Sequence, residues 1–165
     1  MPTKTPNRLH WLLRELDDTE LDQEFVRDVL LVQHDRLREL LATLDERAAD
    51  VIRAEPGSGL ELREAVENLA QALTDHMRGE EHALATLMPL TPASGQALAY
   101  MREEHVRQRT EIEAMRSLAS SSADAIRLAL TVGAFVAAVR IDMELEESQC
   151  LSFLHVTDRY RQASG

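Results

Sequence analysis

The feature that most constrains this chain is a set of four long apolar stripes advancing by three and four residues, each interrupted by imidazole or carboxylate side chains. The first carries Leu30, His34, Leu37, Leu41 and Leu44; the second carries Val66, Leu69, Leu73, His76, Glu80, Ala83 and Leu87. The third reads Leu98, Met101, His105, Ile112 and Met115, and the fourth Leu128, Val132, Phe135, Val139, Asp142, Glu146, Cys150 and Phe153. This period puts each set on one side of a helix, whereas a strand would alternate at every second residue. Four such faces bury themselves against one another.

Punctuation between the stripes sets the expected boundaries. Thr19 is the expected N-cap of a helix over 19–55, which the PGSG run at Pro56 to Gly59 ends. A second helix is expected over 60–87, stopping before MPLTP at Met88 to Pro92, and a third over 93–119, stopping in the serines Ser120 to Ser122. The fourth continues to about Leu154. Short connections make neighbours antiparallel. The expectation is therefore an all-α, up-down antiparallel four-helix bundle over 19–155, with a segment 1–18 before it and a tail 156–165 after it. Leu9 to Leu16, with Trp11, reads as a short additional N-terminal helix.

Composition narrows the partners. Of 165 residues, 18 are Lys or Arg and 29 are Asp or Glu, giving a net charge of -11 that opposes phosphate backbones and anionic lipid headgroups. Nucleic acid and membrane are not expected partners. A single cysteine, Cys150, cannot form an internal disulfide, and neither a signal peptide nor a bilayer-length apolar run is visible. The expectation is a cytoplasmic monomer or homodimer.

The interruptions carry the chemistry. A buried carboxylate loses its water shell at a cost of several kcal/mol unless a partner replaces that water. The stripes bring acids and imidazoles to one level but no inward Lys or Arg, so a cation is the natural compensation. Imidazole nitrogen and carboxylate oxygen together suit iron, manganese or zinc. His76 with Glu80, and Asp142 with Glu146, are four apart and share a helical face. The two halves of the chain also repeat: His34 and then HMRGEE from His76 are matched by His105 and then DMELEE from Asp142. A two-fold repeat suits a two-metal site, with Glu80 and Glu146 placed to bridge.

In this order and spacing, a lone histidine followed by HxxxE and then the same again, the chain from Phe25 to Leu154 resembles the hemerythrin-like family, or HHE cation-binding domains. The resemblance implies a four-helix bundle with a non-haem centre of two iron ions, bridged by carboxylates and an oxo or hydroxo species. Carried over by position, His34, His76, Glu80 and His105 match its first four ligands and Glu146 its last carboxylate. Asp142 stands where the family usually has histidine, and Arg109 stands where oxygen-carrying members have another. The implied metal set is His34, His76, Glu80, His105, Asp142 and Glu146. Hard oxygen donors favour ferric iron, which argues against reversible oxygen storage.

Each residue also has a plainer reading. His34 or His105 alone reads as a satisfied core histidine, His76 with Glu80 as a surface pair, and Asp142 with Glu146 as a solvated edge; the repeat tilts all of them toward ligation. His10, His82 and His155 read as surface or structural, Cys150 as a small buried hydrophobe, and Glu81 and Glu147 as surface groups or carboxylates that orient ligating histidines. The leading expectation is a di-iron protein that binds or reduces a small oxidant: oxygen, peroxide or nitric oxide. Peroxide-decomposing or oxidase-like turnover is left open. A metal- or redox-responsive regulatory module without turnover is the alternative, and a metal-free bundle with partly protonated carboxylates is the third.

Overall fold

The computed structural model describes residues 23–88, 91–120 and 125–162, and they form four helices with no strand among them. These are α1 (Gln23–Ile52), α2 (Ser58–Leu87), α3 (Pro92–Ser120) and α4 (Ala125–Gln162). The segment Leu9 to Leu16 and the Thr19 cap lie outside the described residues. Side-chain pairs fix the directions. Gln33 meets His76 and Arg47 meets Glu61 between α1 and α2, while Arg38 meets Glu147 and Asp45 meets Arg140 between α1 and α4. As one partner's number rises the other's falls, which is the signature of antiparallel packing. Glu67 with Arg116 and Glu81 with His105 say the same of α2 and α3, as do His105 with Glu146 and Gln108 with Asp142 for α3 and α4. The helices therefore alternate up and down around a ring.

Two boundaries differ from the sequence expectation. Helix α1 stops at Ile52, ahead of PGSG, because Ala54 turns left-handed at φ 59°. Ala54 N–H donates to the Val51 carbonyl and Glu55 N–H to the Asp50 carbonyl, each at 3.0 Å, which together form a Schellman cap. Gly57, at φ 81°, then turns the chain into α2, which begins at Ser58. At the other end, α4 runs to Gln162 and not Leu154, since HVTDRYRQ holds neither proline nor glycine to stop it.

The core is split. One apolar cluster gathers Leu37, Leu41, Leu44, Leu69, Leu73, Ile112, Met115, Val132, Phe135 and Val139. The other gathers Val26, Leu30, Ala83, Leu84, Met101, Cys150, Leu151 and Leu154. On every helix the polar interruption lies between the two: His34 between Leu30 and Leu37, Glu80 between Met77 and Ala83, His105 between Met101 and Ile112, and Glu146 between Met143 and Cys150. Fully burying one such leucine stabilises the fold by roughly 1.5–3 kcal/mol, so layers above and below hold the polar layer in place.

The strained Ala54 gives a test of the loop. An L-residue in the left-handed region costs about 1–2 kcal/mol that glycine avoids. Ala54→Gly should raise the unfolding free energy by about 0.5–1 kcal/mol after glycine's greater unfolded-state entropy is allowed for, read as a higher denaturant midpoint at unchanged slope. A lowered midpoint would mean that Ala54 is not left-handed in solution.

Candidate metal centre

All six residues singled out from the sequence are buried: His34, Glu80 and His105 are at most 1 % exposed, and His76, Asp142 and Glu146 at most 5 %. Five meet in the polar layer. His34, His76, Glu80 and Glu146 each present one potential ligand atom, all within 4.8 Å of one another, a group that could hold a metal ion. His105 adjoins it, its Nε2 lying 3.2 Å from Glu146 Oε1 and 3.5 Å from Glu80 Oε2. Asp142 is the exception. Its Oδ2 accepts from Arg107 Nη2 at 2.7 Å and from Gln108 Nε2 at 3.0 Å, so it is engaged by α3 and does not join that group.

The three imidazoles are oriented by their outer nitrogens. His34 Nδ1–H donates to Glu147 Oε1 at 2.8 Å, His105 Nδ1–H to Glu81 Oε1 at 2.8 Å, and His76 Nδ1–H to Gln33 Oε1 at 2.9 Å. Each acceptor holds a proton on Nδ1, which points Nε2 inward. The glutamates are themselves held. Arg38 donates to Glu147 and Arg109 to Glu81, both at 2.6 Å. Because Arg38 follows His34 by four and Arg109 follows His105 by four, the repeat seen in the sequence extends to the supports.

What converges in the centre is a set of acceptors. His34 Nε2 and His76 Nε2 face each other at 3.1 Å, and with both outer nitrogens protonated, two lone pairs oppose. Among the described residues neither buried Glu80 oxygen has a hydrogen-bond partner, although His76 Nε2 and His105 Nε2 approach Oε2 to 3.3 and 3.5 Å. An unpaired buried carboxylate beside inward lone pairs is unfavourable in isolation and favourable around a cation. The donor set, imidazole nitrogen and carboxylate oxygen, is that of a first-row transition metal. The residues fit a metal ion.

Electrostatics point the same way. Burial alone would raise the Glu80 pKa, but His76, His105 and His34 pull it far below the carboxylate range. Glu146, buried and next to Glu80, is pushed up to about 7. Burial opposes the charged form of His105, yet Glu146 and Glu80 outweigh it and raise this imidazole to about 10. His34 is lowered by burial and by His76. Cys150, raised to about 12 by burial and the nearby Glu80 and Glu146, is a neutral thiol packed among apolar neighbours.

Sequence reasoning left several participants unrecognised. Gln33, Arg38 and Gln108 were unremarked, Arg109 counted only as a missing histidine, and Arg107 contradicts the expectation that no Arg reaches the acids. The HxxxR spacing in both halves was the readable signal for Arg38 and Arg109. Of the other groups, Glu81 and Glu147 prove to be the acceptors that orient His105 and His34, and His82 is exposed.

For protein stripped of metal by chelation, the shifts set the sign of a pH dependence. Glu146 rises from 4.5 to about 7 and His105 from 6.5 to about 10, so the stability each adds is complete below its unfolded value and lost as pH climbs through its folded one. The melting temperature should fall as pH rises from about 4.5 toward about 10, and Glu146→Gln should flatten the part of that fall between 4.5 and about 7. A melting temperature independent of pH over that range would contradict the arrangement.

Comparison with known proteins agrees with the geometry. No curated protein and no solved structure matches the chain. The hemerythrin HHE cation binding domain does match, over residues 26–154, a span that takes in both apolar clusters and the whole polar layer between them. With its imidazoles and carboxylates gathered at one level of a four-helix bundle, the chain belongs to the hemerythrin HHE cation-binding domain family.

Proposed function

We propose that this protein is a non-haem di-iron protein that binds or reduces a small oxidant such as oxygen, peroxide or nitric oxide. One observation carries the reading: buried acceptors converge on Glu80, whose two oxygens have no donor. His34, His76, His105, Asp142, Glu80 and Glu146 are the residues that would hold the metal ions. Two iron ions are the proposed cofactor, since a mixed nitrogen and oxygen donor set with three carboxylates suits iron better than a site built on thiolate. Bound iron would supply the redox capacity and an open coordination position for the oxidant.

The chain's own residues do the rest. Glu147, Glu81 and Gln33 keep the ring protons on Nδ1 and the Nε2 lone pairs pointed inward. Burial alone would raise those glutamates, but His34 and Arg38 hold Glu147, and Arg109 and His105 hold Glu81, below the usual carboxylate range. Apolar layers on both sides shield the polar layer from bulk water. The oxygen-rich set favours the ferric state, and so oxidant reduction over reversible storage.

Reconstitution tests this. Full-length protein given excess ferrous iron and then air should retain about two iron atoms per chain and develop near-ultraviolet charge-transfer absorption that changes when peroxide is added. Iron-loaded protein without such absorption would defeat the di-iron reading. Absorption that is present but indifferent to peroxide, oxygen and nitric oxide would defeat the oxidant reading.

A further inference from the structure

The two halves of the centre differ at one place, and the difference is a charge. On α2, His76 precedes Glu80 by one turn; on α4, Asp142 precedes Glu146 by one turn. His76 reaches the cluster through Nε2, 3.1 Å from His34 Nε2 and 3.3 Å from Glu80 Oε2. An aspartate oxygen ends one bond nearer the backbone than an imidazole Nε2, and Asp142 instead accepts from Arg107 and Gln108 at 2.7 and 3.0 Å.

The neighbouring side chains confirm that this is a specific pairing. Arg36 stands two residues after His34, as Arg107 stands two after His105. Arg36 stays at the surface, its side chain 62 % exposed and paired with Glu39 at 2.7 Å. Arg107 is held at 38 % exposure by Glu104 and Glu111 on its own helix and reaches across to Asp142, which is buried. The amides also invert their roles: Gln33 offers its oxygen to His76, whereas Gln108 offers its nitrogen to Asp142.

Ligand supply then decides how many ions the centre takes readily. His34, His76, Glu80 and Glu146 are already gathered and could hold one ion. A second ion needs a further ligand from α4, and Asp142, the side chain placed to provide it, is already engaged by Arg107 and Gln108. We propose that Arg107 and Gln108 hold Asp142 in competition with metal, so that the first ion is bound by His34, His76, Glu80 and Glu146 and the second, served by His105 and Asp142, is bound much more weakly. This deepens the di-iron reading and rests on it.

Titration of chelated full-length protein with ferrous iron under nitrogen, followed by calorimetry, reads the two affinities directly. Wild type should take one ion tightly and a second roughly 10- to 100-fold more weakly, a gap of the size that supporting side chains impose on metal sites. Arg107→Gln should tighten the second ion and leave the first unchanged, and Asp142→His should bring both to similar affinity. Melting curves of the metal-free variants verify folding, and Asp142→His keeps the test open should Arg107→Gln be unstable. Equal affinities in wild type, or an undiminished gap in both variants, would overturn the proposal while leaving the di-iron reading intact. Absence of any binding would overturn that reading itself.

Discussion

Everything in this bundle is arranged around a carboxylate that its own protein does not satisfy. Glu80 sits at zero exposure with neither oxygen hydrogen-bonded among the described residues, in a layer where three imidazoles present Nε2 and Glu146 presents another acid. Removing such a group from water costs several kcal/mol when nothing replaces the water. The fold tolerates this because apolar clusters on either side supply the packing that keeps four helices together. A purely apolar layer would serve stability better, so acceptors gathered there speak for cation binding.

The supports of the centre lie at increasing distance from it and end at the surface. Each inward Nε2 is aimed by a hydrogen bond at Nδ1, and two of the three acceptors are anchored by arginines that are partly exposed. Arg38 and Arg109 are themselves partly exposed, so holding a carboxylate there costs them little desolvation. The ring orientation of His34 and His105 is thus set from outside the core. Where the two-fold repeat breaks, at Asp142, the arginine that elsewhere stays on the surface moves inward.

Much of this was readable before any coordinates. The four helices followed from stripes at three- and four-residue spacing, and the level of the polar layer from where His34, His76, Glu80, His105 and Glu146 interrupt them. Periodicity reports which face a residue occupies. It does not report which way a long side chain bends, and Arg107, two residues from His105 and off the stripe, is placed by the partner it finds on α4. The turn of Asp142 toward Gln108 is a tertiary event of the same kind. The stop at Ala54 was hidden for another reason, because left-handed caps are ordinarily glycine and the nearby PGSG drew the expected boundary onward.

The claim beneath the whole account is that the acceptors around Glu80 are built to surround a metal. Crystals of iron-loaded protein measured at the iron absorption edge would locate the ions by anomalous scattering. The account predicts the strongest peak inside the polar layer, between Glu80 and Glu146 and faced by Nε2 of His34 and His76. Iron found only on the acidic surface, with the polar layer empty, would contradict it.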